Sequence, residues 1–264
     1  MSRVLITGSS DGLGRAAAQL LAQQGHDVVL HGRNRRKSEV AMTRVPTALG
    51  VLTGDFSKIA DIRDVAVQAN RLGTFDAVIH NAGVGFQEAS LGNTVDGHSL
   101  VLSVNVLAPY LLTALMTPPK RLVYLGSGLH RSGDDGLHDV DWTSRPWNGF
   151  QAHNDSKLFD VALALAIARL RPATLSNALE PGWVAMRMGG AGAPDDWNLA
   201  HVTQAWLAVT DDPEATVSGR YFFHQRDTES HAAALDAAFQ DHLLECLPRL
   251  TGVTMPGPAL ASRG

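Results

Sequence analysis

The 264-residue chain has one cysteine, Cys246, and only three tyrosines, Tyr110, Tyr124 and Tyr221. A single thiol rules out an internal disulfide and fits a reducing compartment. No apolar run approaches the roughly 20 residues of a membrane span, so no membrane partner is expected. The chain enters a strand pattern directly, without the charged and apolar stretches of a signal peptide, and a cytoplasmic location is expected. Basic charge is not in surplus: the formal net charge is -4. That argues against nucleic acid as a partner, for which a basic surface is needed. The 11 histidines lack metal-site spacing. His138 with Asp139 and Asp141 makes no convincing ligand set, and no metal is expected. Internal repeats and low-complexity linkers are missing as well.

What is present is an alternation of short apolar runs with helical patterns, the sign of βαβ units around a parallel sheet. With 45% hydrophobic residues the chain can bury a substantial core. Strands are read near Val4–Thr7, Asp27–His31, Gly50–Thr53, Ala77–His80, Arg121–Gly126, Thr174–Leu179 and Arg220–His224. Helices are read near Leu13–Gln24, Ile59–Leu72, Gly97–Met116, Asn154–Arg169, His201–Val209 and Ser230–Leu247. The expected fold is α/β: a single-domain, Rossmann-type doubly wound parallel sheet of about seven strands with helices on both faces. The domain is expected to span 1–247, followed by a C-terminal tail, 248–264, on the surface or mobile. The segments Leu129–Phe150 and Trp183–Leu199 are long and irregular, and such loops usually carry function or disorder.

The first strand ends in Thr7-Gly8-Ser9-Ser10-Asp11-Gly12-Leu13-Gly14. A strand feeding a helix through a glycine-rich turn can hold a pyrophosphate: glycines allow close backbone approach, and the helix N-terminus offers N–H groups and a favourable dipole. The second strand ends in His31-Gly32-Arg33, followed by Arg35, Arg36 and Lys37. An acid here would take a ribose 2′-hydroxyl and repel a 2′-phosphate, whereas a guanidinium can hold that phosphate with paired hydrogen bonds. Arg33 at the strand end therefore favours NADP(H), while Arg36 and Lys37 read as a solvated basic run.

These motifs, in this order, resemble the short-chain dehydrogenase/reductase family. The TGxxxGxG turn is its cofactor turn. Asp55 matches the acid that contacts adenine, with Phe56 beside it. His80-Asn81-Ala82-Gly83 resembles the NNAG segment, with His in place of the first Asn. Asn105, in an otherwise apolar helix, matches the Asn that holds a water beside the catalytic Lys. Ser127, closing Leu122-Val123-Tyr124-Leu125-Gly126-Ser127, matches the catalytic Ser. The following Gly128-Leu129-His130 and the long insertion resemble the retinol-dehydrogenase-like branch. Pro181, Gly182 and Val184 fall in a segment similar to PGxVxT over the nicotinamide; read alone, Pro181-Gly182 is also an ordinary turn after a strand. The resemblance implies an NADP-dependent oxidoreductase passing hydride between nicotinamide and a carbonyl or secondary alcohol, with Lys157 holding the ribose. It also implies a homodimer or homotetramer joined through the helices near Gly97–Met116 and Asn154–Arg169, unless the insertion covers that surface.

Two positions depart from the pattern. Where the family has Tyr, four residues before Lys157, stands His153, and no other tyrosine is near in sequence. Imidazole can exchange protons near pH 7. It is shorter by roughly 2 Å, however, and a misplacement of about 1 Å can cost a hundredfold. A neighbouring ammonium also keeps it neutral, without the proton a reductase donates. Three outcomes stay open: natural His-based or water-mediated catalysis, a cofactor-binding relative with little or no turnover that acts as a binding or regulatory protein, or an engineered or incidental change from Tyr in an active enzyme. The second departure is Met186 in place of the Thr of PGxVxT. Among the loops, Trp142, Trp147, Phe150, Trp183 and Trp197 read equally as substrate-pocket lining or as loop anchors. Asp134, Asp135, Asp195 and Asp196 read as solvent-facing.

Overall fold

Both faces of the strands are apolar, and each face needs its own layer of helices. In the computed structural model, which describes residues 1–86, 91–185 and 189–256, Leu5, Val29, Val78 and Leu122 pack into one layer. Val4, Ile6, Val28, Leu30 and Ile79 pack into the other. The strands are β1 (Arg3–Ile6), β2 (Asp27–Gly32), β3 (Gly50–Thr53), β4 (Ala77–His80), β5 (Arg121–Leu125), β6 (Leu175–Glu180), β7 (Tyr221–Phe223) and β8 (Arg226–Asp227). Their order is β3-β2-β1-β4-β5-β6-β7-β8, parallel as far as β7. The expected seven strands gain an eighth, two-residue β8, antiparallel to β7. The chain reverses its direction of travel between β1 and β4, which opens a crevice at their C-terminal ends.

Helices α1 (Gly12–Gln23), α2 (Arg35–Arg44), α7 (Trp197–Ala200) and α8 (Val202–Val209) precede or follow strands on one side. Helices α3 (Ile59–Arg71), α4 (Leu100–Leu102), α5 (Ala108–Leu115), α6 (Gly149–Leu170), α9 (Ala232–Leu235) and α10 (Ala237–Thr251) build the other. Helix α2 lies in the run read as solvated charge; Asn34 caps it by accepting from the Lys37 N–H at 3.0 Å, and only Ser38 and Ala41 are buried. So polar a helix carries almost no amphipathic signal. The helix expected over Gly97–Met116 is shorter and broken: α4 runs through a π-helical turn, Ser103–Leu107, into α5.

The expected tail begins too early. Helix α10 runs to Thr251 with Pro248 inside it and stops at Gly252, whose φ of 67° favours glycine. Beyond it, Val253 O accepts from the buried Tyr110 hydroxyl at 2.7 Å. Helices α9 and α10 also cover α6, where Val161, Ala162, Leu163, Ala164 and Ala166 are fully buried. The helix face expected to meet a second subunit is thus occupied by the chain's own C-terminal helices.

The insertion before α6 is fastened at both ends. Arg145 reaches Asp155 at 3.0 Å and Asp134 at 3.3 Å, and its guanidinium lies 3.6 Å from the Trp142 ring centroid. Asp134 is therefore engaged rather than simply solvated, and Trp142 is an anchor. Asp141 accepts from the Ser99 N–H at 3.0 Å and pairs with His98 Nδ1 at 2.8 Å, while His98 Nε2 lies 3.2 Å from Leu250 O. Two acceptors on the two ring nitrogens require an imidazolium, and the Asp141 hydrogen bond raises the His98 pKa above 6.5. This contribution is complete below the unfolded value of 6.5 and fades as pH rises through the folded one. Asp141→Asn should cost about 1–3 kcal/mol in urea unfolding near pH 6, with the deficit shrinking toward pH 9. A deficit independent of pH would remove the charged His98 from this account.

Candidate active site

The crevice between β1 and β4 is framed by backbone that approaches too closely for side chains. Gly8 has φ 63°, and a Cβ there would sit 2.9 Å from the Ala82 Cα. A Cβ on Gly14 would collide with the Asn81 amide. Thr7 Oγ1 accepts from both the Asn81 and Ala82 N–H groups at 3.0 Å, and Asn81 Nδ2 donates to Thr7 O at 2.9 Å. Gly12, with φ 55°, Leu13 and Gly14 open α1, and their N–H groups have no preceding helical carbonyl to meet. Asp11 caps that turn by accepting from the Gly12 N–H at 2.9 Å. Ser10 lies at the edge of the same turn, half-buried. This arrangement suits a pyrophosphate of a dinucleotide: a concave run of N–H groups, with no Cβ in the way.

His31 holds the turn from below, a role the sequence did not suggest. Its Nδ1 accepts from the Gly8 N–H at 3.0 Å, and its Nε2 donates to Gly54 O at 3.0 Å. The backbone of His31 also exchanges hydrogen bonds with Ser9. Phe56 stacks on this ring at 4.2 Å and is only 4% exposed. Phe56 thus belongs to the core beneath the turn. Asp55 lies beside it and caps the next turn through the Ser57 N–H at 3.0 Å. Gly32 is required by packing, since a Cβ would press on the Ser38 backbone nitrogen. Arg33 follows, exposed and without a hydrogen bond among the described residues.

On the other side of the crevice, the sequence-predicted polar residues converge on the end of β4. Asn105 sits in the π turn, a distortion frequent at functional positions. Its Oδ1 accepts from the Val84 N–H at 2.9 Å; its Nδ2 donates to Val84 O at 3.1 Å and to Ser156 Oγ at 2.9 Å. Its carboxamide is committed to protein partners and fixes Val84. Gly83 lies against both groups: a Cβ there would be 3.4 Å from Asn105 Oδ1 and 3.9 Å from Lys157 Nζ. Lys157 Nζ donates to Leu125 O at 2.6 Å and to Asp160 Oδ2 at 3.3 Å. Burial pushes the Asp160 carboxyl up to about 6, against the pull of the Lys157 charge. Sequence reasoning passed over Asp160, although an acid inside the apolar stripe of Leu158, Val161 and Ala162 was the available signal.

Ser127 caps the 3-10 turn Gly128–Ser132, its Oγ accepting from the Leu129 N–H at 3.2 Å. Its hydroxyl hydrogen remains able to donate to a substrate oxygen. Beneath it His130 donates from Nδ1 to Ser127 O at 2.7 Å and accepts at Nε2 from the His231 N–H at 3.1 Å. His153 is buried, its Nδ1 3.1 Å from Val84 O and its ring edge-on to Phe86 at 6.0 Å. Phe86 in turn meets Phe150 at 5.5 Å, so of the loop aromatics Phe150 borders the site.

Pro181, Gly182 and Val184 follow β6. Gly182 has φ 85°, and the Trp183 N–H donates to Asp195 Oδ2 at 2.5 Å. Val184 is buried against Leu13 and Ala200 and bridges Asp195. Asp195, expected in solvent, is therefore the clamp of this segment, and Asp196 caps α7. Trp183 is 61% exposed. Met186 lies outside the described residues.

Burial holds three histidines around this centre, His31, His130 and His153, at about 4. The unfolded chain protonates His31 below its ordinary 6.5 while the folded chain resists until about 4. Its contribution is therefore complete above 6.5 and is lost as pH falls toward 4. His31→Leu, which also strands the Gly8 N–H, should cost about 2–4 kcal/mol at neutral pH. It should flatten the loss of stability between about pH 6 and 5 by roughly 1.4 kcal/mol per pH unit, one proton's worth. Denaturant titrations at several pH values check both, and an unchanged acid slope would contradict a neutral His31.

Comparison with known proteins agrees with this geometry. A family model described as short chain dehydrogenase matches residues 2–122. An uncharacterized oxidoreductase of Emericella nidulans is 41% identical over 97% of this chain and 100% of its own length. The short-chain dehydrogenase chry4 of Gibberella zeae is 37% identical over 98% of this chain and 100% of its own. An uncharacterized protein from Mycobacterium paratuberculosis superimposes with a TM-score of 0.83 at 25% identity, covering 97% of this chain and 95% of that one. With the glycine turn, the Asn81-Ala82-Gly83 segment and Lys157 gathered at one crevice, the chain belongs to the short-chain dehydrogenase/reductase family.

Proposed function

We propose that the chain is an NADP(H)-dependent oxidoreductase that moves hydride between nicotinamide and a carbonyl or secondary alcohol. The observation that carries the cofactor assignment is the end of β2: Gly32 and an unengaged Arg33 stand where an acid would select a ribose hydroxyl. In this reading Gly8, Ser10, Asp11, Gly12, Leu13 and Gly14 form the pyrophosphate cradle. Asp55 and the Asn81-Ala82-Gly83 backbone border the adenosine half; Pro181, Gly182 and Val184 present main chain to the nicotinamide. Bound there, the nicotinamide supplies the hydride acceptor or donor. Ser127 orients the substrate oxygen, Lys157 holds the ribose, and Asn105 positions Val84.

A second reading, cofactor binding with little turnover, draws on one observation: burial and the Lys157 charge leave His153 unprotonated at neutral pH, without a proton to give. Cofactor turnover against ketones and secondary alcohols separates the two. No helix among the described residues is long and apolar enough to cross a membrane. Because α9 and α10 pack over the Val161–Ala166 part of α6, the homodimer or homotetramer of this reading associates through another surface.

The chain should bind NADPH more tightly than NADH. Arg33→Ala should weaken NADPH by roughly thirtyfold, on the order of 2 kcal/mol, and leave NADH nearly unchanged. Fluorescence titration of both cofactors reads this directly; equal affinities in the unmodified chain would overturn the NADP(H) assignment.

A further inference from the structure

We infer that His153 acts through Nε2 as the proton acceptor in oxidation of an alcohol, rather than as the proton donor to a carbonyl. This rests on the oxidoreductase reading and gives that site a preferred direction.

The geometry fixes the tautomer. His153 Nδ1 lies 3.1 Å from Val84 O, and a carbonyl oxygen can only accept, so Nδ1 carries the hydrogen. Val84 is not free to turn away, because Asn105 holds both its N–H and its carbonyl. A neutral imidazole with hydrogen on Nδ1 has its lone pair on Nε2. Nε2 has no partner among the described residues, so that lone pair is available to a substrate. The groups facing the ring reinforce this state. Among the described residues Lys157, one turn along α6, is the charged group that acts on it; the β4 loop contributes the neutral Phe86 and the Val84 carbonyl. Burial and the Lys157 ammonium hold the ring at about 4. At pH 7 the doubly protonated form is then on the order of one molecule in a thousand.

The step balances as follows. The alcohol O–H proton passes to His153 Nε2, the carbinol carbon loses hydride to the oxidised nicotinamide, and the carbon–oxygen double bond forms from the O–H electron pair. The alcohol is oxidised by two electrons, the nicotinamide is reduced by two, and the imidazolium returns its proton to solvent. Ser127, with its hydroxyl hydrogen available, holds the substrate oxygen. Reduction by the same route in reverse needs a proton on Nε2, the form that Lys157 opposes.

Two measurements test this. In the 15N-labelled chain, with His153→Gln identifying the resonances, the His153 ring should remain the Nδ1–H tautomer from about pH 5.5 to 8. Hydrogen on Nε2, or a titration near the ordinary histidine value, overturns the inference whether or not any substrate turns over. Kinetically, NADP+ reduction with 1-phenylethanol or cyclohexanol should be flat over that range. NADPH oxidation with acetophenone or cyclohexanone should slow about tenfold per pH unit. His153→Gln should lower oxidation at least a hundredfold while leaving NADPH affinity unchanged; oxidation retained in that variant also refutes the role. Absence of cofactor binding in the unmodified chain would instead defeat the underlying reading, with the tautomer measurement still deciding the inference.

Discussion

Everything at this site depends on how closely two strand ends can approach. The C-terminal end of β1 meets that of β4 with Gly8 against Ala82, and Thr7 Oγ1 binds the two N–H groups at the end of β4. A side chain at Gly8 would need to displace backbone, and no rotamer relieves that. The contact fixes the glycine turn on one side. On the other it fixes the path to Val84, and through Val84 the hydrogen on His153. The shape of the glycine turn and the placing of His153 Nδ1 on the Val84 carbonyl are thus set by one backbone apposition, reached through different chains of hydrogen bonds.

Around that apposition the protein uses histidine as a neutral, two-ended connector. His31 ties the glycine turn to Gly54, and His130 ties the Ser127 turn to the start of α9. Each ring accepts with one nitrogen and donates with the other, which an imidazole does and an imidazolium cannot. His98 is the exception, charged because both its neighbours accept. The same residue type therefore serves opposite electrostatic ends according to what faces it.

The features legible in the sequence were those encoded locally. The strand–turn–helix at Gly8–Gly14, Asn81-Ala82-Gly83 and the register of Ser127, Asn105 and Lys157 each sit beside a recognisable strand or helix. What stayed hidden depends on partners distant in the chain. Asp195 reads as loop charge until Trp183 is found beside it, and the stacking of Phe56 on His31 joins residues 25 positions apart. Asn105 was identified, but its commitment to Val84 and Ser156 follows from the π turn, which no periodicity reveals. Helix α2 escaped because its exposed surface is charged and its buried one is nearly absent.

The covering of α6 by α9 and α10 also orders events in time. Helix α6 carries His153 and Lys157 within an almost wholly buried surface, and α9 and α10, which complete its cover, are among the last elements of the described chain to be synthesised. During translation that apolar surface waits for partners more than 60 residues downstream, as a contact of long sequence separation that closes late.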